Sequence, residues 1–326
     1  MKVPEYVSGS IAPTFTVFQP DSSIDEQGQR NFLDFLLQSD AIRCFFVRSG
    51  MGLMYTYSID DTKQMARLAC GHINKRSAVI VGCSGIWDRN YDCLPDPELY
   101  LAQGIELGKH ALDSGADGVV YTVPEGLLPQ NGESINDLLL RYFTRVCAEV
   151  PGPVFIYQPP GTKAEYMMTP ELLAQLADID NLVGTKVSSG DGHYVYELVR
   201  SVRGKEFAYI VGNEMVFYAG LTLGVRACIG QGTTVNPQVF RAMLAAYDKG
   251  DWAGVLRAQD SVNDLCKHSP NPVDFMKKYA TEKGFPTPLF DRSQKSNPYA
   301  SDRTPITQEE YDRFKPIYEA ELAKFA

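Results

Sequence analysis

Residues 152–188, GPVFIYQPPGTKAEYMMTPELLAQLADIDNLVGTKVS, hold one complete strand–helix–strand unit. The runs at 152–158 and 181–188 are short, rich in β-branched and aromatic residues, and apolar on both faces, as parallel strands covered on each side are. Between them, Thr169-Pro170-Glu171 supplies a capping hydroxyl, a proline for the first helical turn and an early acid before the helical ELLAQLADI. Lys186 stands near the end of the second run. Lysine is among the residues least often buried, so this amine either reaches out to water or is used by the protein.

The unit repeats along the chain. Runs of the same kind begin at Gly9, Ile42, Ser77, Asp117, Glu206 and Arg226, which brings the total to eight. Ser23 and Ser58 stand before two further amphipathic segments as helix-start signals. Eight strand–helix alternations predict an α/β protein, a (β/α)8 TIM barrel over residues 1–250. An open doubly wound sheet gives no reason to stop at eight, and no G-x-G-x-x-G follows the first strand. Residues 251–326 predict a C-terminal helical extension packed on the barrel, with a surface strap from Phe285 to Pro305 and a last helix kinked or broken at Pro316.

Composition narrows the function. The chain has 326 residues, 44% of them hydrophobic and 22% charged, which suits a globular protein with a sizeable core. A formal charge of −9 opposes a nucleic-acid footprint. No apolar run reaches a membrane span, and the start lacks a signal-peptide layout, so the expectation is a cytoplasmic enzyme. The seven cysteines are scattered with no C-x-x-C pair, and the four histidines have no ligand spacing; no disulfide framework, metal or cofactor is expected.

Chemistry in such a barrel gathers at the C-terminal ends of the strands. Lys186 and Tyr157 both fall there, on adjacent strands and the same face. At its reference pKa only about one lysine amine in 2,500 is neutral at pH 7. Desolvation at an apolar mouth lowers that pKa and frees the amine to attack a ketone and form a Schiff base. The alternative is a lysine that snorkels to water and pairs with a carboxylate such as Asp191. Asp191 itself reads as the cap of the next helix.

Five segments together resemble the pyruvate-dependent class I aldolases typified by dihydrodipicolinate synthase and N-acetylneuraminate lyase. They are VRSGMGLMYTYS from Val47, GADGVVYTVPEG from Gly115, VFIYQPPGT from Val154, LVGTKVSSGD from Leu182 and GVRACIGQGTTVNP from Gly224. The resemblance implies that Lys186 is the Schiff-base lysine and Tyr157 the proton shuttle. It implies that Ser49, Gly50 and Met51 cradle the carboxylate of pyruvate or another 2-keto acid, and that Gly212 and Ile229 line the floor. It also implies a homo-oligomer, a dimer or a tetramer assembled from dimers.

Departures from the family pattern bear on the substrate. The usual Gly-Thr-Thr-Gly-Glu turn is Ser49-Gly50-Met51-Gly52-Leu53 here, and the relay tyrosine pair is replaced by Pro124-Glu125-Gly126. Thr162 stands where dihydrodipicolinate synthases place an arginine, and Gln158 where the family usually has asparagine, shaping the pocket entrance. Glu125 reads as a replacement acid–base group or a partner for a substrate hydroxyl, or else as an exposed loop carboxylate. Trp87 and the long DRNYDCLPDPE that follows read as a lid or a subunit contact. The expectation is an aldolase or dehydratase for a 2-keto acid or keto-deoxy sugar acid, not a true dihydrodipicolinate synthase. The rival is a barrel that binds such an acid without turning it over.

Overall fold

A computed structural model describes residues 1–130, 132–292 and 304–325. The strands are β1 Gly9–Pro13, β2 Ile42–Val47, β3 Ala78–Gly82, β4 Gly118–Thr122, β5 Val154–Gln158, β6 Leu182–Val187, β7 Ala208–Val211 and β8 Ala227–Cys228. They pair in sequence order, all parallel, and β8 closes back on β1 to form the expected barrel.

The crossover helices are α1 Glu26–Leu37, α2 Ile59–Ile73, α3 Pro97–Asp113, α4 Ile135–Glu149, α5 Pro170–Leu176, α6 Gly192–Ser201 and α7 Phe217–Thr222. After β8 come α8 Gly232–Val235, α9 Pro237–Asp248, α10 Trp252–His268, α11 Pro272–Glu282 and α12 Gln308–Ala323. Start signals act where short polar side chains reach orphan N–H groups. Ser58 and Asp61 complete a reciprocal capping box, and Thr169 caps α5 ahead of Pro170. α1 begins later than Ser23 suggests, because Asp25 takes the Gly28 N–H and becomes its cap.

Two apolar layers hold the barrel. Inward-facing residues, among them Ile11, Cys44, Phe46, Ile80, Val120, Phe155, Tyr157, Ile210 and Ile229, fill the lumen. Outward-facing neighbours such as Phe45, Val81, Tyr121 and Ile156 pack against the helices. The extension adds an aromatic knot in which Phe275 of α11 meets Phe314 and Tyr318 of α12 at 4.7 and 5.0 Å. α12 runs on through Pro316, so of the two expected outcomes, a kink or a break, the break does not occur. Of the predicted strap, 285–292 and 304–305 lie outside helices and strands, while 293–303 lie outside the described residues. Among the described residues no helix is long and apolar enough to cross a membrane.

Candidate active site

The position of Lys186 depends on an irregularity in β6. Val154 pairs with Leu182, but the next residue, Phe155, pairs with Gly184, leaving Val183 as an extra residue in the strand. Val183 faces the lumen; strict alternation would then turn Lys186, three residues on, to the outside. The bulge restores the phase, so Lys186 pairs with Tyr157 and points inward beside it. Gly184 makes this possible, since a Cβ there would stand 2.7 Å from the Ala208 carbonyl oxygen.

The lysine is 5% exposed. Its Nζ lies 4.0 Å from the centre of the Tyr157 ring and 5.9 Å from that of Phe46. Tyr157 is fully buried and meets Phe46 edge to face at 6.2 Å. Burial pulls the Lys186 pKa down to about 7, while Cys228 and the Glu214 carboxylate pull it back up. The amine does not reach out to water. Asp191, its alternative partner, instead accepts from His193 N and Tyr194 N at the start of α6.

The turn after β2 is closed by bonds from the N–H groups of Gly52, Leu53 and Met54 to Ser49 and Gly50 carbonyls. The N–H groups of Gly50 and Met51 stay outside that network. Ser49 is fully buried, and its hydroxyl already donates to Thr14 O at 3.2 Å and accepts from Gly52 N at 3.1 Å. On the other side of the lysine, Gly212 N bonds Val187 O and Ile229 N bonds Val211 O, both at 2.9 Å. A Cβ at Gly212 would meet Val187 O at 2.6 Å, so the tight turn out of β7 needs glycine.

The three residues set apart for specificity separate. Gln158 follows Tyr157 and faces outward; its Oε1 accepts from Met168 N and Tyr194 Oη, which ties the end of β5 to the residues before α5 and to α6. Thr162 donates to Pro159 O within its own turn. Glu125 is not an exposed loop carboxylate: it is 3% exposed and paired with Arg89 at 3.1 Å.

Sequence reasoning passed over Glu214. It is 7% exposed, accepts from Gly232 N at 3.0 Å, and acts electrostatically on both Lys186 and Cys228. A Cβ on Gly230 would overlap its Oε2 at 1.9 Å. Its place just past the end of β7 was the available signal, because functional residues of such barrels gather at the C-terminal ends of the strands. Arg89 lies in the long loop between β3 and α3, where no spacing singles it out. Among the described residues no group of three or more His, Cys, Asp or Glu side chains could hold a metal.

A sequence profile of the dihydrodipicolinate synthetase family matches residues 6–285. A putative 2-dehydro-3-deoxy-D-gluconate aldolase of Escherichia coli K12, YagE, is 28% identical over 249 residues, 76% of each chain. A 4-hydroxy-tetrahydrodipicolinate synthase of Dechloromonas aromatica is 28% identical over 306 residues, covering 90% of this chain and 95% of the relative. In fold, the crystal structure of YagE in complex with pyruvate superposes with a TM-score of 0.78 at 23% identity, covering 98% of this chain and 99% of that one. An N-acetylneuraminate lyase from Mycoplasma synoviae gives 0.78 at 17% identity with the same coverage. With its profile matched through the whole barrel, the chain belongs to the dihydrodipicolinate synthetase family of lyases and aldolases.

Proposed function

We propose that the protein is a Schiff-base-forming lyase acting on pyruvate or a related 2-keto acid, as an aldolase or a dehydratase of keto-deoxy sugar acids. The observation that carries this is the Lys186 amine, buried against Tyr157 with its pKa lowered to about 7. At neutral pH about half of such amines are uncharged, against roughly one in 2,500 for a solvated lysine. The neutral Nζ adds to the keto carbon, the carbonyl oxygen leaves as water, and the resulting protonated imine accepts the electron pair released at the adjacent carbon. Tyr157 moves the protons. The N–H groups of Gly50 and Met51 hold the carboxylate, and Gly212 and Ile229 leave room beside the lysine.

The absence of an arginine at Thr162 and of a tyrosine at Glu125 supports a substrate other than that of lysine biosynthesis. The reading includes a homo-oligomer of two or four chains, which light scattering after size exclusion checks. Reduction with borohydride in the presence of pyruvate tests the chemistry: an adduct on Lys186 is expected. Pyruvate binding without an adduct would favour a catalytically idle barrel, a reading that the commitment of the Ser49 hydroxyl to its own turn favours.

A further inference from the structure

Three loops at the mouth meet on one buried ion pair. Arg89, from the long loop after β3, and Glu125, from the loop after β4, have side chains only 6% and 2% exposed. Arg89 Nη2 also donates to Gly161 O at 3.0 Å, and Glu125 Oε1 accepts from Lys163 N at 2.7 Å, both in the loop after β5. Arg89 Nε is buried with no hydrogen-bond partner among the described residues. Burying such a pair is costly and adds little stability by itself, so a role beyond holding loops together is the more informative reading.

One further group sits between the charges. The Tyr91 hydroxyl accepts from Arg89 Nη2 at 3.1 Å and donates to Glu125 Oε1 at 3.3 Å. The first is an ordinary N–H to oxygen distance, whereas the second is longer than a well-formed bond, since hydroxyl-to-carboxylate bonds settle near 2.7 Å. The ring that delivers this hydroxyl is 37% exposed, held by an edge-to-face contact with Trp87 at 5.1 Å and by Lys163 Nζ at 3.8 Å from its centre.

We propose that Arg89 and Glu125 form a subsite for an uncharged hydroxyl group of the substrate, at the place where the Tyr91 hydroxyl contacts both. The two charges cancel, so the pair has no surplus to attract an anion. A hydroxyl satisfies both at once, accepting from the guanidinium and donating to the carboxylate. The chemical class is a polyol chain, such as that of a sugar acid, and the inference deepens the proposed function by naming which residues read the part of the substrate beyond the reacting carbons.

Position agrees. Val123, two residues before Glu125, donates its N–H to Tyr157 O at 2.9 Å, and Gly161 and Lys163 follow Tyr157 within the same loop. Arg89 Cζ lies 5.5 Å from the centre of the Tyr55 ring. Tyr55 packs on the lumen cluster that contains Phe46 and Tyr157, and it also lines an open groove with Ile86, Asp88 and Arg292. Tyr55 thus links Arg89 to the lumen cluster that holds Phe46 and Tyr157 and to an open groove at the mouth.

The chain has two tryptophans, so in a Trp252→Phe background Trp87 reports on its neighbour Tyr91. Titration with arabinitol should change Trp87 emission saturably, while pentanol and propionate at equal concentration should not. The double substitution Arg89→Met with Glu125→Met removes both charges together, avoiding a stranded carboxylate, and should weaken arabinitol at least tenfold in a protein whose far-ultraviolet dichroism is unchanged. Tyr91→Phe should tighten it, because the competing hydroxyl is gone. Lys186→Met should bind arabinitol like the parent. No saturable response, an equal response to propionate, or unchanged binding in the double variant would overturn the assignment. If arabinitol binds as described but borohydride traps no pyruvate, the lyase reading fails and the subsite stands; the opposite pair of results removes the subsite alone.

Discussion

Replacing Lys186 with methionine should make the protein more stable in neutral to mildly acidic solution, by an amount that disappears as the solution becomes alkaline. The folded-state pKa is about 7 against the usual 10.5, so between those values the unfolded chain holds a proton that the native chain does not. Stability therefore rises with pH across that window and is lowest, by the full penalty, below pH 7. The difference of roughly 3.5 units at 1.36 kcal/mol each sets the penalty at about 5 kcal/mol. The lysine is 5% exposed, so solvent screening takes little from this figure. Methionine keeps the apolar stem and removes the charge. For a chain of 326 residues the unfolding entropy is about 0.7 kcal/mol per kelvin, so the variant should gain about 7 °C in Tm at pH 6. The gap should close by about 2 °C per pH unit between pH 7 and 10. Thermal melts of both proteins at half-unit pH steps and constant ionic strength read the difference directly, with all other titrating groups in common. A gap that stays constant from pH 6 to 10.5, or a variant less stable at pH 6, would show that the lysine is charged at little cost and refute the desolvation argument.

Other outcomes follow from the same geometry. Tyr157→Phe should leave Tm within about 2 °C while slowing borohydride-trapped imine formation by about 100-fold or more, as loss of a general acid–base group does. Glu214→Gln removes a carboxylate that raises the Lys186 pKa, so the pH midpoint of trapping should move toward acid by up to about one unit; a shift toward alkali would contradict the placement. Gly184→Val puts a Cβ 2.7 Å from Ala208 O and should cost about 1 to 3 kcal/mol, a Tm loss of about 2 to 4 °C, together with trapping at Lys186. Retained trapping in that variant would mean that the bulge does not aim the lysine.

What could be read in the sequence was whatever repeats or follows a local rule. Eight buried runs and the helices between them announce a closed barrel because each parallel strand must be covered on both faces, and the structure closes in that order. Ser58 and Thr169 were legible as caps since their partners lie within three residues; Asp25 displaced Ser23 because its carboxylate lies closer to the first free N–H. The unbroken α12 was not legible, as the rings of Phe275 and Tyr279 that pack against Tyr318 are distant in sequence. The site divides in the same way. Lys186 and Tyr157 share a face in the strand ladder, yet period-two counting from Val183 sends the lysine outward, and only the bulge reverses it. A lone glycine inside an apolar strand was the sign of that bulge: Gly184 can be read as the residue that lets β6 and β7 approach closely. Arg89 and Glu125, by contrast, come from loops of different units, and no spacing rule joins residues 36 apart until the barrel brings β3 and β4 side by side. The strands thus fix where a nucleophile can stand, while the partners that would select its substrate are assembled by closure of the barrel.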